Sequence, residues 1–591
     1  MASVDRTRRD RLGAAMPWLF AALAAASFTA RGWTGPDLWR YLAVGSRIAS
    51  TFSAQPELPL LIRQEGYVNF YWLFQVTLFE LNRIGGVALL AIAFAGVWSW
   101  LAVTWVRWIR PFRREALGLP LALASWIAIG RRFEIRAEGI SYVLLFLTLG
   151  WAARWSPFRP TRVRRFATLA AIQAVWCNCH GYFVLGPLVL GWRALSVWLV
   201  SPRRGRIGTA GRRAAAAIGV ALAASLISPF GWRNAIGVAT LASLAQSAAV
   251  GQIRELAPLG LHNWEDAVVW CLVAATAITA AWQARRGRRA LYPIGLAAAG
   301  TVLGIRGLRY LPLMVILSTP LWRRGVATIR LPRSVPAVRA ITAPLVAALA
   351  LTTLVYAVIF LRAGRRPPVP PELVGFWHDR VPSGPIFDDP NLGSYLEWRY
   401  PSWVLYGDCF YFDPLRTDEY FAALVDPARF EDLDRQFHFG EVLLDASRSG
   451  ALIAALLRHP RWSLIYADDR LALFSARAAP SAQIRFFAID RLGEPEAGIY
   501  AAHWIENLAA SGRRDLIQAA VREIGGARRI PGPLFAAFVV AGAQTGDKAL
   551  VGQVLGLLPL VTPGGERDRR RLQVLAAQAR SQFGLDPDPG Q

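Results

Sequence analysis

From Ala14 to Leu361 the sequence alternates apolar runs with short polar segments, and every second segment is rich in arginine. A soluble domain has no reason to keep that alternation. A chain threaded back and forth through a bilayer does, because arginine-rich loops are held on the cytoplasmic side. The apolar runs are Ala14–Ala30, Gly86–Val106, Leu117–Gly130, Gly139–Ala153, Phe166–Asn178, Phe183–Val200, Ala214–Ser228, Ala267–Gln283, Leu291–Gly304, Leu308–Trp322 and Ala340–Leu361. The basic segments hold Arg107/Arg110/Arg113/Arg114, Arg159/Arg162/Arg164/Arg165, Arg203/Arg204/Arg206/Arg212/Arg213, Arg285/Arg286/Arg288/Arg289 and Arg323/Arg324/Arg330/Arg333. With the N-terminus inside, all of these fall on one side, and about eleven membrane helices follow with the C-terminal region outside. Several runs are shorter than the ~20 residues an upright helix needs, so their ends are expected to extend into flanking polar residues.

A net charge of +26 raises the question of nucleic acid, and the position of the charge answers it. Between Pro371 and Arg477, 17 Asp and Glu face 10 Arg, a net of −7, so the basic excess belongs to the segments between apolar runs. With 54% hydrophobic residues and a mean hydropathy of +0.31, the composition is that of a polytopic membrane protein with basic loops, and no nucleic-acid partner is expected. The arginines at positions 6, 8, 9 and 11 followed by Ala14–Ala30 read as a first membrane helix, since no small-x-small cleavage site precedes a soluble domain. Cys177, Cys179, Cys271 and Cys409 are too scattered for a disulfide framework. In Cys177-Asn178-Cys179-His180 only Cys177 and His180 share a helical face, without a second ligand pair, so no metal site is assigned. A divalent cation stays open as a cofactor.

The non-basic loops carry the chemistry. They hold Asp37, Glu65, Arg131, Arg132, Glu134, Arg136, Glu138, Asn178, His180, Arg233, Glu255, Arg306 and Arg309. Charged groups at span ends are costly against lipid and line water-filled cavities instead. The first of these loops is long, residues 31–85. It contains Gly35-Pro36-Asp37-Leu38-Trp39-Arg40-Tyr41-Leu42, in which Leu38, Tyr41, Leu42, Gly45 and Ile48 mark one face of an amphipathic helix, with Arg40 and Arg47 on another. A second interfacial helix is expected from Tyr71 to Glu80, its Tyr and Trp suited to the headgroup level, with a turn at Pro56–Pro59 between the two.

Residues 363–371 form a proline-rich linker. Residues 372–477 read as a small α/β domain, with strands at Gly384–Phe387, Trp403–Tyr406, Val442–Leu444 and Leu471–Phe474 and helices at Asp418–Leu424 and Ser449–Leu457. Residues 478–591 read as a helical tail of hairpins similar to tetratricopeptide repeats, although no 34-residue repeat is present. Disorder is expected after about residue 585.

Gly35-Pro36-Asp37-Leu38-Trp39-x-x-Leu42-x-x-Gly45 is followed by Val68-Asn69-Phe70-Tyr71-Trp72-Leu73-Phe74-Gln75, Trp176–Gly181, Ser228-Pro229-Phe230-Gly231 and Arg306-Gly307-Leu308-Arg309-Tyr310. In that order, with Ile386–Leu396 after the last span, they resemble bacterial multi-spanning proteins of the GT-C glycosyltransferase superfamily, over about residues 14–477. The resemblance implies a GT-C-like membrane domain over residues 1–362 whose first outward loop carries a catalytic acid, matched here by Asp37. It implies a polyprenyl-phosphate sugar as co-substrate, an extracytoplasmic acceptor (glycan, lipid or protein), and an inner-membrane location with the N-terminus cytoplasmic and the C-terminal domains outside. A carboxylate at a cavity mouth would take the proton of the attacking hydroxyl. Guanidinium groups would stabilise the departing phosphate, with Arg306 and Arg309 placed on one helical face, and Arg136 and then Arg132 as further choices. Membrane lipids, and a protein partner on the helical tail, complete the expected partners.

Related sequences carry His where this chain has Tyr41, and a His-Glu pair where it has Phe70-Tyr71. Glu65, Glu134 or Glu138 would have to stand in for that glutamate, and these three with His180 and Tyr41 are the candidates for supporting the site or binding the acceptor. Plain structural roles compete throughout. Asp37 follows Gly-Pro and suits a helix cap, His180 suits a helix terminus, Arg131–Glu138 suits an internally paired loop, and Asp388-Asp389 suits a turn. A catalytically degenerate membrane scaffold is the competing reading, whereas a transporter would show inverted repeats that are absent.

Overall fold

A computed structural model of the chain describes residues 17–28, 35–61, 67–109, 115–200, 207–244, 255, 257–328, 351, 355, 369–378, 380–409, 414–477, 484–487, 489, 492, 495–562 and 565–585. The chain divides into two compact units, Met1–Leu58 with Gln64–Arg366, and Pro59–Arg63 with Pro367–Gln591.

The first unit is helical. Its elements are α1 (Pro17–Phe28), α2 (Pro36–Thr51), α3 (Trp72–Ile109), α4 (Glu115–Gly130), α5 (Ala137–Arg154), α6 (Val163–Cys177), α7 (Leu185–Val200), α8 (Ile207–Ser225), α9 (Arg233–Leu244), α10 (Trp264–Arg285), α11 (Leu291–Arg306) and α12 (Leu311–Thr328). Among the described residues three stretches are long and apolar enough to cross a membrane, Trp72–Ile109, Gly181–Val200 and Trp264–Arg285, rather than the eleven read from the sequence. Length and charge explain the difference, and α8, with 19 residues, carries Arg212 and Arg213 within it. α4 and α11 have 16 residues and α6 has 15, or about 24 Å at 1.5 Å per residue against a hydrocarbon layer of about 30 Å. α5 and α12 reach 18 residues only by including Glu138 and Arg154, or Arg323 and Arg324. The run Ala340–Leu361 falls almost entirely outside the described residues.

α3 is two helices joined at Gly85–Gly86. Gly86 has φ +61°, a left-handed conformation that only glycine adopts without strain. The bend separates the segment expected from Tyr71 to Glu80 from the apolar run that follows. α2 lies along the first half of α3 and buries the predicted face of Leu38, Tyr41, Leu42, Gly45 and Ile48. Arg40, expected on a different face from that stripe, is also buried. At Gly45 the backbones of α2 and α3 meet, and a Cβ there would run into the Gln75 carbonyl and lie 2.8 Å from Phe79 Cβ. Gly45→Val should therefore cost about 1–3 kcal/mol of stability, the usual range for overpacking, read as a lower melting temperature of the detergent-purified protein.

The second unit is built on a four-stranded sheet of order β1-β2-β4-β3, with β1 (Ile386–Asp388), β2 (Glu441–Asp445), β3 (Ser463–Ala467) and β4 (Leu471–Ser475). β1 and β2 are parallel and the other pairs antiparallel. Of the expected strands, Trp403–Tyr406 contributes only bridges at Leu405, and β3 was not foreseen. Pro59, expected as the last residue of a turn, begins a stretch to Leu61 that runs beside Leu405, with Leu61 N donating to Leu405 O at 2.8 Å and Leu405 N to Pro59 O at 2.9 Å. Asp388-Asp389 is not a turn either. Asp388 ends β1 and accepts from Tyr406 N at 2.9 Å, while Asp389 caps the helix Pro390–Arg399 through Asn391 N. The helices Pro495–Ser511, Arg514–Ile524, Gly532–Thr545, Lys548–Gly556 and Glu566–Phe583 follow the sheet. One hydrophobic core runs from Phe387 through Trp504 and Phe538 to Ala579, crossing the boundary drawn at residue 477.

Candidate active site

In the first unit the loops expected to face outward converge. Residues 131–138 between α4 and α5 meet Asp37 at the start of α2, Glu255, and Arg309 just before α12. Arg136 Nε lies 2.7 Å from Asp37 Oδ2 and also contacts Glu134. Its two terminal nitrogens grip both oxygens of Glu255, Nη1 to Oε2 at 2.8 Å and Nη2 to Oε1 at 2.7 Å. Arg132 reaches Glu255 at 2.9 Å and Glu138 at 3.4 Å, and Arg309 Nη2 reaches the same Glu138 oxygen at 3.0 Å. Three guanidinium groups and four carboxylates thus form one continuous network. Arg131 stands apart, bound to Glu265 at 3.0 Å and Asp266 at 2.8 Å.

Local sequence sets this up. The chain from Arg131 to Arg136 turns tightly, with Glu134 N donating to Arg132 O at 2.9 Å, which throws the side chains of Arg132, Glu134 and Arg136 together. Glu255 is held by its backbone: Arg309 N donates to its carbonyl at 3.0 Å and Leu308 N to Ala257 O at 3.2 Å. Pro36 and Asp37 open α2, but Gly35 takes the capping position and no side chain caps the helix. The expected cap role for Asp37 is therefore replaced by its ion pair with Arg136.

Burial pushes the Asp37 carboxyl up to about 6, against the pull of Arg136, with Glu255, Glu138 and Glu134 adding to the rise. Burial acts on Glu255 in the same direction, but Arg136 and Arg132 overcome it and hold that carboxyl down at about 2. One carboxylate is thereby left within reach of neutral pH while its neighbour stays ionised, the divergence that acid–base sites use.

An aromatic wall adjoins the charges. Tyr41 packs against Phe74 with centroids 4.9 Å apart and against Tyr71 at 6.0 Å. Tyr71 in turn packs on His180 at 5.4 Å, and His180 on Tyr182 at 4.3 Å. His180 does cap a short helix, through Nδ1, which accepts from Tyr182 N at 3.2 Å. Burial lowers its pKa to about 4, so the ring is neutral near pH 7. Asn178 is committed to structure, accepting from Trp72 Nε1 at 2.7 Å and donating to the Ile227 and Ala174 carbonyls. The Cys177 thiol points at the Ala174 carbonyl, and no group of three or more His, Cys, Asp or Glu among the described residues is arranged to hold a metal ion.

No protein-family model and no curated protein matches the sequence. Among solved structures the chain is similar to the apo oligosaccharyltransferase of Archaeoglobus fulgidus, at 11% identity over 79% of this chain and 75% of that one, with a TM-score of 0.44. It is also similar to the archaeal oligosaccharyltransferase AglB from the same organism, in complex with an inhibitory peptide and a dolichol-phosphate, at 10% identity, 75% and 72% coverage and a TM-score of 0.45. No residue role carries over from likenesses of this size.

Of the residues singled out in the sequence, Asp37, Glu134, Glu138, Arg136 and Arg309 come together, with Tyr41 and His180 in the adjoining wall. Glu65 lies outside the described residues. Arg306 does not join. α11 ends at Arg306 and the chain continues extended at Gly307 before the short helix Leu308–Tyr310, so Arg306 and Arg309 do not share a helical face. Arg306 is exposed to solvent. Glu255 is the residue the sequence undervalued: it stands among the outward acids, but its partner Arg136 is 119 positions away.

Proposed function

We propose that this chain is a membrane glycosyltransferase that moves a sugar from a polyprenyl-phosphate donor to an acceptor outside the cytoplasm. The observation that supports this reading is the buried contact between Asp37, with its raised pKa, and Arg136, in a network that joins the loops at one end of the helices. In this reading the acceptor hydroxyl attacks the anomeric carbon as Asp37 takes its proton, and the bond from that carbon to the phosphate oxygen breaks with inversion. The departing phosphate carries its negative charge to Arg309 and Arg136. Arg309 suits the role because its side chain is 27% exposed, against 12% for Arg136. The N-terminus is cytoplasmic, and the second unit faces outward, where it recognises the acceptor or a partner.

A second reading, a non-catalytic scaffold, draws on two observations. Every arginine of the network already holds a carboxylate, and Phe70-Tyr71 stands where the resemblance expects His-Glu. One experiment separates the two. Purified protein in lipid nanodiscs is offered a panel of polyprenyl-phosphate sugars with candidate acceptors, and released polyprenyl phosphate is followed by mass spectrometry. Release establishes the transferase; binding of the donors without release across the panel favours the scaffold.

A further inference from the structure

Glu255 holds its arginines in the manner of a phosphate. Its two oxygens meet Arg136 at 2.7 and 2.8 Å in the paired geometry that guanidinium groups offer to phosphates as readily as to carboxylates, and Arg132 adds a third contact at 2.9 Å. The Glu255 side chain is also the outermost of the group, 31% exposed, while the two guanidinium groups behind it are 6% and 12% exposed. Its backbone carbonyl is held by Arg309 N, so its side chain can swing away while the backbone at Glu255 stays in place.

We propose that the Glu255 carboxylate occupies the donor's phosphate seat in the unliganded protein, and that the donor binds by exchanging with it on Arg132 and Arg136, beside the Arg309 that takes up charge with Arg136 as the phosphate departs. This rests on the transferase reading above. The exchange conserves charge: a sugar–phosphate–polyprenol linkage is a singly charged phosphodiester, and it replaces one singly charged carboxylate. Removing Glu255 without a replacement would leave two buried guanidinium groups short of an anion, so the seat is closed to water and neutral lipid but open to a phosphodiester. Glu255 is then a positioning residue that keeps the arginines aimed at the seat and sets a threshold for what may enter.

The test measures binding of farnesyl methyl phosphate, a singly charged phosphodiester with a short isoprenoid chain, to the full-length protein in nanodiscs. Glu255→Gln keeps the shape and removes the competing charge, and it should lower Kd by about tenfold or more, as expected when a state that blocks binding is no longer dominant. Glu255→Asp keeps the charge on a shorter arm that cannot span both arginines, and it should fall between the two; it serves as the working variant if Glu255→Gln does not fold. Glu265→Gln removes the same charge from the separate Arg131 pair and should leave Kd within about twofold, since only the direct competitor alters the competent fraction. If wild type binds the probe through Arg136 but the Glu255 variants bind no tighter, the exchange is wrong and the phosphate seat stands. If no form binds the probe, both are overturned.

Discussion

Arg136→Ala should be the most destabilising single substitution in the charge network, costing about 3–5 kcal/mol, the range for removing one partner of a buried ion pair. Arg136 touches Asp37, Glu134 and both oxygens of Glu255. Without it Asp37, Glu134 and Glu255 lose a cation they share, while Arg132 stays in contact with Glu255. Arg136→Lys should recover little, because an ammonium cannot reproduce a fork that grips two oxygens while its third nitrogen serves Asp37. The loss should also depend on pH in a definite direction. Buried carboxylates that lose a shared cation have folded-state pKa values moved upward, and where these lie above the unfolded ones the stability they contribute is present at low pH and lost as pH rises through the raised values. The melting-temperature gap between wild type and Arg136→Ala should therefore be wide at pH 8 and narrow toward pH 5. A gap that is small at pH 8 would mean that the network is solvated and carries little energy.

What was readable in the sequence follows from how locally each feature is determined. The α2 stripe needed only a 3.6-residue period, and Leu38, Tyr41, Leu42, Gly45 and Ile48 are buried as that period predicts. The grouping of Arg132, Glu134, Arg136 and Glu138 is also local, set by one turn. Arg306 and Arg309 failed because spacing by three places residues on one face only where the helix continues, and here it ends between them. The roles of Glu255 and Tyr71 depend on partners more than a hundred residues away. Hydropathy marked most of the first unit's helices but not their lengths, since apolar runs do not show where glycine, proline or an arginine pair stops a helix short of a membrane's thickness.

Asp37→Asn should lower turnover by about 10²- to 10⁴-fold, the range lost when a positioned general base is removed, with donor binding little changed. Asn keeps the shape of the side chain and can still accept from Arg136, so the change falls on proton transfer. The raised pKa makes the claim specific. A base must be deprotonated to act, so wild-type kcat should fall as pH drops through about 6, whereas the residual rate of Asp37→Asn should lack that limb. The stability effect has the opposite sign. A carboxyl raised from 3.8 to about 6 in the folded protein contributes stability that is complete below 3.8 and lost as pH rises through 6. Asp37→Asn, which cannot ionise, should escape that loss, so its melting temperature relative to wild type should rise between pH 4 and pH 8. A variant that loses turnover while gaining relative stability at high pH has lost chemistry rather than fold. If turnover and stability fall together at pH 8, Asp37 is a structural partner of Arg136, and the base must be sought elsewhere in the network.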